Sequence, residues 1–137
     1  MKKILFILSL CVFATTSILA QDEGDEKIRD KMREYIQQRM HLNKDEAERF
    51  TPVFLRYFKE WRTTLRENRT LPKLDLQQKI IDLRLRYRIE FKEIVGERRS
   101  NEVYEHQEKF IRILQDVQRE RIQKRQGIRG RIRSLPL

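Results

Sequence analysis

Cysteine is almost missing from this chain. The single one, Cys11, lies in an apolar leader. Once that leader is removed, an internal disulfide, a thiolate zinc site and a cysteine nucleophile are all excluded. Glycine and proline are nearly as scarce: between Asp25 and Lys124 they occur only at Gly96, Pro52 and Pro72. No glycine-rich phosphate loop can be built from that, and most positions suit a helix. No stretch alternates at period two, so no sheet is expected. Histidine occurs twice, at His41 and His106, far apart in sequence. With 9% aromatic and 38% charged residues, the core of one small domain must be thin.

The leader follows a set order. Met1-Lys2-Lys3 is basic, Ile4 to Ala14 is apolar, and Thr15-Thr16-Ser17 leads into Ile18-Leu19-Ala20-Gln21. This describes a cleaved secretory signal peptide over residues 1–20, with the cut after Ala20. The apolar run is short for a membrane span. Leu10, before Cys11, is a poor residue for a lipoprotein site.

Export changes what the formal net charge of +10 implies. Nucleic acid is not the expected partner outside the cytoplasm; lipid head groups, envelope polymers and acidic proteins are. From Arg119 onward seven basic residues face one acid, Glu120, so most of the excess sits in a tail. Within the body, residues 49–99 are basic, and the segments on either side are acidic.

Apolar spacing predicts four helices. The first spans about Asp25 to His41, with Ile28, Met32, Tyr35, Ile36 and Met40 on one side. Asn43 with Glu46 three residues on reads as a capping box. It opens a helix whose stripe is Ala47, Phe50, Phe54, Tyr57, Phe58, Trp61 and Leu65, bent at Pro52. A turn through Pro72 precedes a third helix, Asp75 to Val95, stopped by Gly96. Its core seam is Leu76, Ile80, Leu83, Tyr87, Phe91 and Ile94. Ser100 reads as the cap of a fourth helix ending near Lys124. Val103, Phe110, Leu114 and Val117 form its main seam, and Tyr104, Ile111 and Ile122 a second. Residues 125–137 read as a disordered basic tail, leaving 21–124 as the folded domain.

Little in this set can do chemistry. The carboxylates are scattered among Lys and Arg at helical spacing, the pattern of a solvated surface. His41 and His106 lack a cysteine or acidic cluster and read as surface histidines rather than ligands. No catalytic residue, metal site or cofactor is expected. Surplus apolar surface is more informative. On the third helix Ile81, Leu85 and Ile89 form a second seam, flanked three residues on by Arg84, Arg88 and Lys92. Such a face suits either a homodimer seam or a surface that takes up partner proteins. The cations Arg119, Arg121, Lys124, Arg125, Arg129, Arg131 and Arg133 suit a polyanion.

The segment Leu42-Asn43-Lys44-Asp45-Glu46-Ala47-Glu48-Arg49-Phe50-Thr51-Pro52-Val53-Phe54 resembles the start of the first long helix of the Spy/CpxP-like, LTxxQ-motif periplasmic proteins. Many of these carry Glu-Ala-x-x-Phe-x-Pro after a degenerate motif. Here Asn43 stands for the Thr and Glu46 for the Gln, and Phe91 to Gly96 matches the second family segment. The resemblance covers roughly Asp25 to Gln118. It implies a periplasmic, all-α, four-helix hairpin arrangement with long antiparallel helices, paired as a thin cradle-like homodimer. It also implies ATP-independent holding of unfolded envelope proteins. The alternative is a stress regulator, with or without a metal response, that binds a membrane sensor or anti-sigma domain. No membrane span is expected in the mature form.

Overall fold

A computed structural model describes residues 23–133, with side chains as far as Arg129. The expected signal peptide 1–20, residues 21–22 and 134–137, and the side chains of Arg131 and Arg133 lie outside it. The protein is all-α: α1 (23–39), α2 (Lys44–Glu67), α3 (Lys73–Val95) and α4 (Glu97–Arg133) pack against one another. Among the described residues no helix is long and apolar enough to cross a membrane.

Local chemistry sets each helix end. α1 stops in a Schellman motif, with Leu42 N–H donating to Gln37 O and His41 N–H to Gln38 O. His41 takes the left-handed position, φ 51°, that glycine usually fills. The capping box then opens α2: Glu46 N–H donates to Asn43 Oδ1 at 2.9 Å, and Asn43 N–H to Glu46 Oε2 at 3.1 Å. α2 continues through Pro52. Beside that missing donor, Thr51 Oγ1 donates to Ala47 O at 2.8 Å, and Gln37 Nε2 on α1 reaches Thr51 Oγ1 at 3.1 Å.

The junction of α3 and α4 is one residue long. Gly96 N–H donates to Lys92 O as the last bond of α3, and Gly96 O accepts Ser100 N–H as the first of α4. Its backbone, φ 84° and ψ 168°, belongs to a region essentially reserved for glycine. Ser100 is therefore not the cap the sequence suggests. It is buried inside α4 and donates its hydroxyl to Glu97 O at 2.6 Å.

Packing follows from α2, whose buried side chains are Phe50, Val53, Phe54, Tyr57 and Phe58. Phe50 stacks on Phe91 with ring centroids 5.0 Å apart, and Tyr57 meets Tyr87 at 5.4 Å, so α2 and α3 run antiparallel. Gln37 bonds Thr51 while Arg62 bonds Asp25, which sets α1 antiparallel to α2. Glu46 pairs with Arg99 and Tyr57 with Gln107, so α4 runs parallel to α2 at an offset of 50 to 53 residues. By that offset the end of α2 at Glu67 lies beside α4 near Val117. Beyond it α4 outruns the body, and every side chain from Gln115 to Arg129 is exposed.

This arm corrects the expectation of a disordered tail after Lys124, because the helix continues to Arg133. Arg, Lys, Gln and Ile dominate the segment, and no proline intervenes before Pro136. Gly127 and Gly130 cost about 1 kcal/mol each, too little to end a helix already nucleated by the body. The second seam on α4 also divides: Tyr104 and Ile111 pack on the core, whereas Ile122 lies out on the arm, 54% exposed.

Two ion networks tie the helices together. Arg99 forks onto both carboxylate oxygens of Glu46 and donates Nε to Val95 O at 2.9 Å. Glu60 accepts from Tyr87 at 2.7 Å and from Arg86 at 2.9 Å. The Arg99 guanidinium holds the Glu46 carboxyl below its ordinary 4.5, and the Tyr87 hydroxyl does the same for Glu60. Burial, followed by Glu60, pushes Tyr87 up to about 12.

Backbone conformation yields one prediction. No atom lies within 4 Å of a Cβ added at Gly96, so Gly96→Ala acts through the backbone alone and should cost roughly 1–3 kcal/mol. His41→Gly relieves its left-handed strain and should stabilise by about 0.5–1 kcal/mol. Urea midpoints that move together, rather than in opposite directions, would refute this assignment.

Titration yields another. The lowered carboxyls contribute fully above about pH 4.5, and that contribution is lost as pH falls through their folded values. The raised Tyr87 contributes fully below about pH 10 and is lost as pH rises toward its folded value near 12. Melting temperature should fall at both extremes, and Glu46→Gln should flatten only the acid limb. An unchanged acid limb in that variant counts against the Arg99 fork.

Candidate functional site

α3 carries two apolar rows because its sequence repeats twice at helical spacing. Leu83, Tyr87, Phe91 and Val95 are buried. About 140° around the helix, counting 100° per residue, lie Ile81, Leu85 and Ile89. They are 47%, 46% and 65% exposed, and nothing among the described residues packs over them. Leu74, 77% exposed, falls on the same line one heptad before Ile81. Sequence reasoning missed it by starting the helix at Asp75, although the seven-residue spacing to Ile81 was the available signal. The completed row rises about 22 Å along the helix.

The predicted cationic rim survives only in part. Arg88 is exposed and makes no ion pair among the described residues. Lys92 is exposed but pairs with Glu97 across the Gly96 elbow at 3.0 Å. Arg84 is not a rim residue. It turns under α4, lies over the Tyr104 ring with its guanidinium carbon 5.3 Å from the centroid, and donates to Glu108 at 2.9 Å. Spacing alone placed it beside the row, but α4 occupies that side of α3 and draws it inward. A shallow groove of about 220 Å³ follows the α3/α4 edge, lined by Arg88, Ile89, Lys92, Glu97, Ser100 and Asn101. On the far side of the row lie exposed carboxylates, Asp75, Asp82 and Glu93. The row is thus apolar, with cations along one edge and acids along the other.

A second concavity, about 480 Å³, opens between α1 and α2 over Leu55 and Phe58. Arg29, Arg56, Lys59, Arg62 and Arg66 surround it, and Arg62 forks onto Asp25 at 2.7 and 3.2 Å. Its sequence signal was Lys59, Arg62 and Arg66 at i, i+3 and i+7. That signal was absorbed into the general basicity of the segment.

The remaining candidates have structural duties. His41 ends α1. His106 sits edge-on to Tyr35 with centroids 6.5 Å apart, and burial, then Lys109, lowers its pKa. Among the described residues no three His, Cys, Asp or Glu side chains gather as a metal site requires. The tail cations Arg119, Arg121, Lys124, Arg125 and Arg129 lie on the exposed arm, far from the α3 row in sequence.

Because the row is exposed, polar replacements there should leave the fold intact. Ile81→Ser/Ile89→Ser should shift stability by less than about 1 kcal/mol, whereas Phe91→Ala should cost about 3–5 kcal/mol. A large loss in the serine variant would show that the row is covered in the native protein.

The chain matches no family model, no curated protein and no solved structure.

Proposed function

We propose that this protein is an exported, ATP-independent holding chaperone for unfolded or aggregation-prone envelope proteins, working in the periplasm as a weak homodimer. One observation carries this reading: the uncovered row Leu74, Ile81, Leu85 and Ile89, bordered by Arg88 and Lys92 on one edge and by carboxylates on the other. Unfolded chains present apolar side chains amid charges of both signs. Such a row holds the former and orients the latter.

The magnitude suits release without an energy source. Burying the exposed part of four Ile or Leu side chains contributes about 1 kcal/mol each, and about 4 kcal/mol corresponds only to millimolar affinity. The row alone is likewise too small for a tight dimer, which needs upward of about 1,200 Å². Ile113 and Val117 on α4, 46% and 39% exposed, add apolar surface for self-association. The resemblance of Leu42 to Pro52 to the LTxxQ-motif proteins supports the same reading.

The test is aggregation of a reduced or heated client at stoichiometric ratio, followed by light scattering. Wild type should suppress it, and Ile81→Ser/Ile89→Ser should lose at least half of that protection while remaining folded. Equal protection by the variant removes this face from the proposal. No protection by wild type turns the reading toward a regulator that binds a membrane sensor, which a pull-down against sensor domains then checks.

A further inference from the structure

The arm of α4 is an exposed surface that client holding leaves unused. By the helical offset it leaves the body near Val117 and rises about 24 Å to Arg133. Arg121, Arg125 and Arg129 stand at i, i+4 and i+8, so each faces a like charge one turn away. With Lys124 they are exposed, and none makes an ion pair among the described residues. Glu120 is the only acid from Arg119 onward, and Arg119 itself sits 3.7 Å from Asp116. Cations at a helix C-terminus complement the dipole, but that effect fades within the last turn. This ladder begins three turns earlier.

We infer that the arm is a binding site for a flexible, phosphate-rich linear polyanion. Two features select that partner. First, the array is repulsive as it stands, so neutralisation by closely spaced anions relieves repulsion along the whole ladder at once. Second, the cations from Arg119 to Arg129 cover an arc of about 220° at 100° per residue. Ile122 and Ile128 lie about 120° apart within that arc. No apolar face remains to insert into a bilayer, as an interfacial helix needs. A flat anionic membrane reaches only one side of such a helix, whereas a flexible chain wraps it.

Long-chain polyphosphate is the probe, with binding to the full protein followed by titration across a salt series. Each neutralised phosphate contributes about −0.7 to the slope of log K against log salt, so four or five contacts should give about −3. Arg121→Gln/Arg125→Gln/Arg129→Gln should weaken binding at least tenfold and reduce the slope by about 2. The matching triple lysine variant should stay within about threefold of wild type, which separates charge from side-chain shape. Retained binding by the glutamine variant overturns the inference, as does a slope near zero. Capture of the protein by phosphatidylglycerol vesicles with no binding to polyphosphate overturns it in favour of a membrane surface. The glutamine variant should melt with wild type, and its client protection should be unchanged, which keeps this site distinct from the α3 row.

Discussion

Everything in this fold depends on burying one face of α2. Phe50, Phe54 and Tyr57 are fully enclosed, and Phe58 is nearly so. Each contributes about 2–3 kcal/mol of burial, and with no disulfide available that face must supply the cohesion. Tyr57 is the pivot. Its ring meets Tyr87, Phe91 and Tyr104, and its hydroxyl donates to Gln107 on α4 at 2.5 Å. A tyrosine deep in the interior needs such an acceptor, and the buried amide of Gln107 provides it. One residue of α2 therefore fixes both α3 and α4.

The exposed features are the geometric remainder of that core. Helices α1, α3 and α4 all turn their best apolar side toward the core that the α2 stripe anchors. The second row of α3 is left facing outward, because no fifth element among the described residues covers it. The offset between α2 and α4 likewise ends the packed body well before α4 ends, so a run of cations extends into solvent. Charge reinforces the division. Half of the ion pairs among the described residues join different helices, as in Arg56 with Glu90, Arg84 with Glu108 and Arg99 with Glu46. Arg88 and the arm cations have no such counterpart among the described residues.

Signals that act within one helical turn were legible in the sequence. The Asn43–Glu46 box, the stop at Gly96, the stripes of α2 and the buried seam of α3 are all set by residues three or four apart. Signals that depend on a neighbour were not. Ser100 looks like a cap by type and position, yet Gly96 had already opened α4. Arg84 and Arg88 are equivalent in spacing, and only the placement of α4 separates the buried one from the exposed one. The arm was misread because its composition is that of disorder, whereas continuation of a helix is cheap once the body has nucleated it. Val53 was missed since it lies at the margin of an aromatic stripe and is buried only by the helices beside it.

The elbow at Gly96 bears on how such a chain can change in length. A connection of one residue has no slack. Any insertion there would rotate α4 by about 100° per added residue and unseat Tyr104 and Gln107 from Tyr57. The five residues between α2 and α3 are more forgiving, and the free end of α4 most of all. Descendants of this sequence should therefore hold the elbow at constant length and vary by growing or trimming the arm.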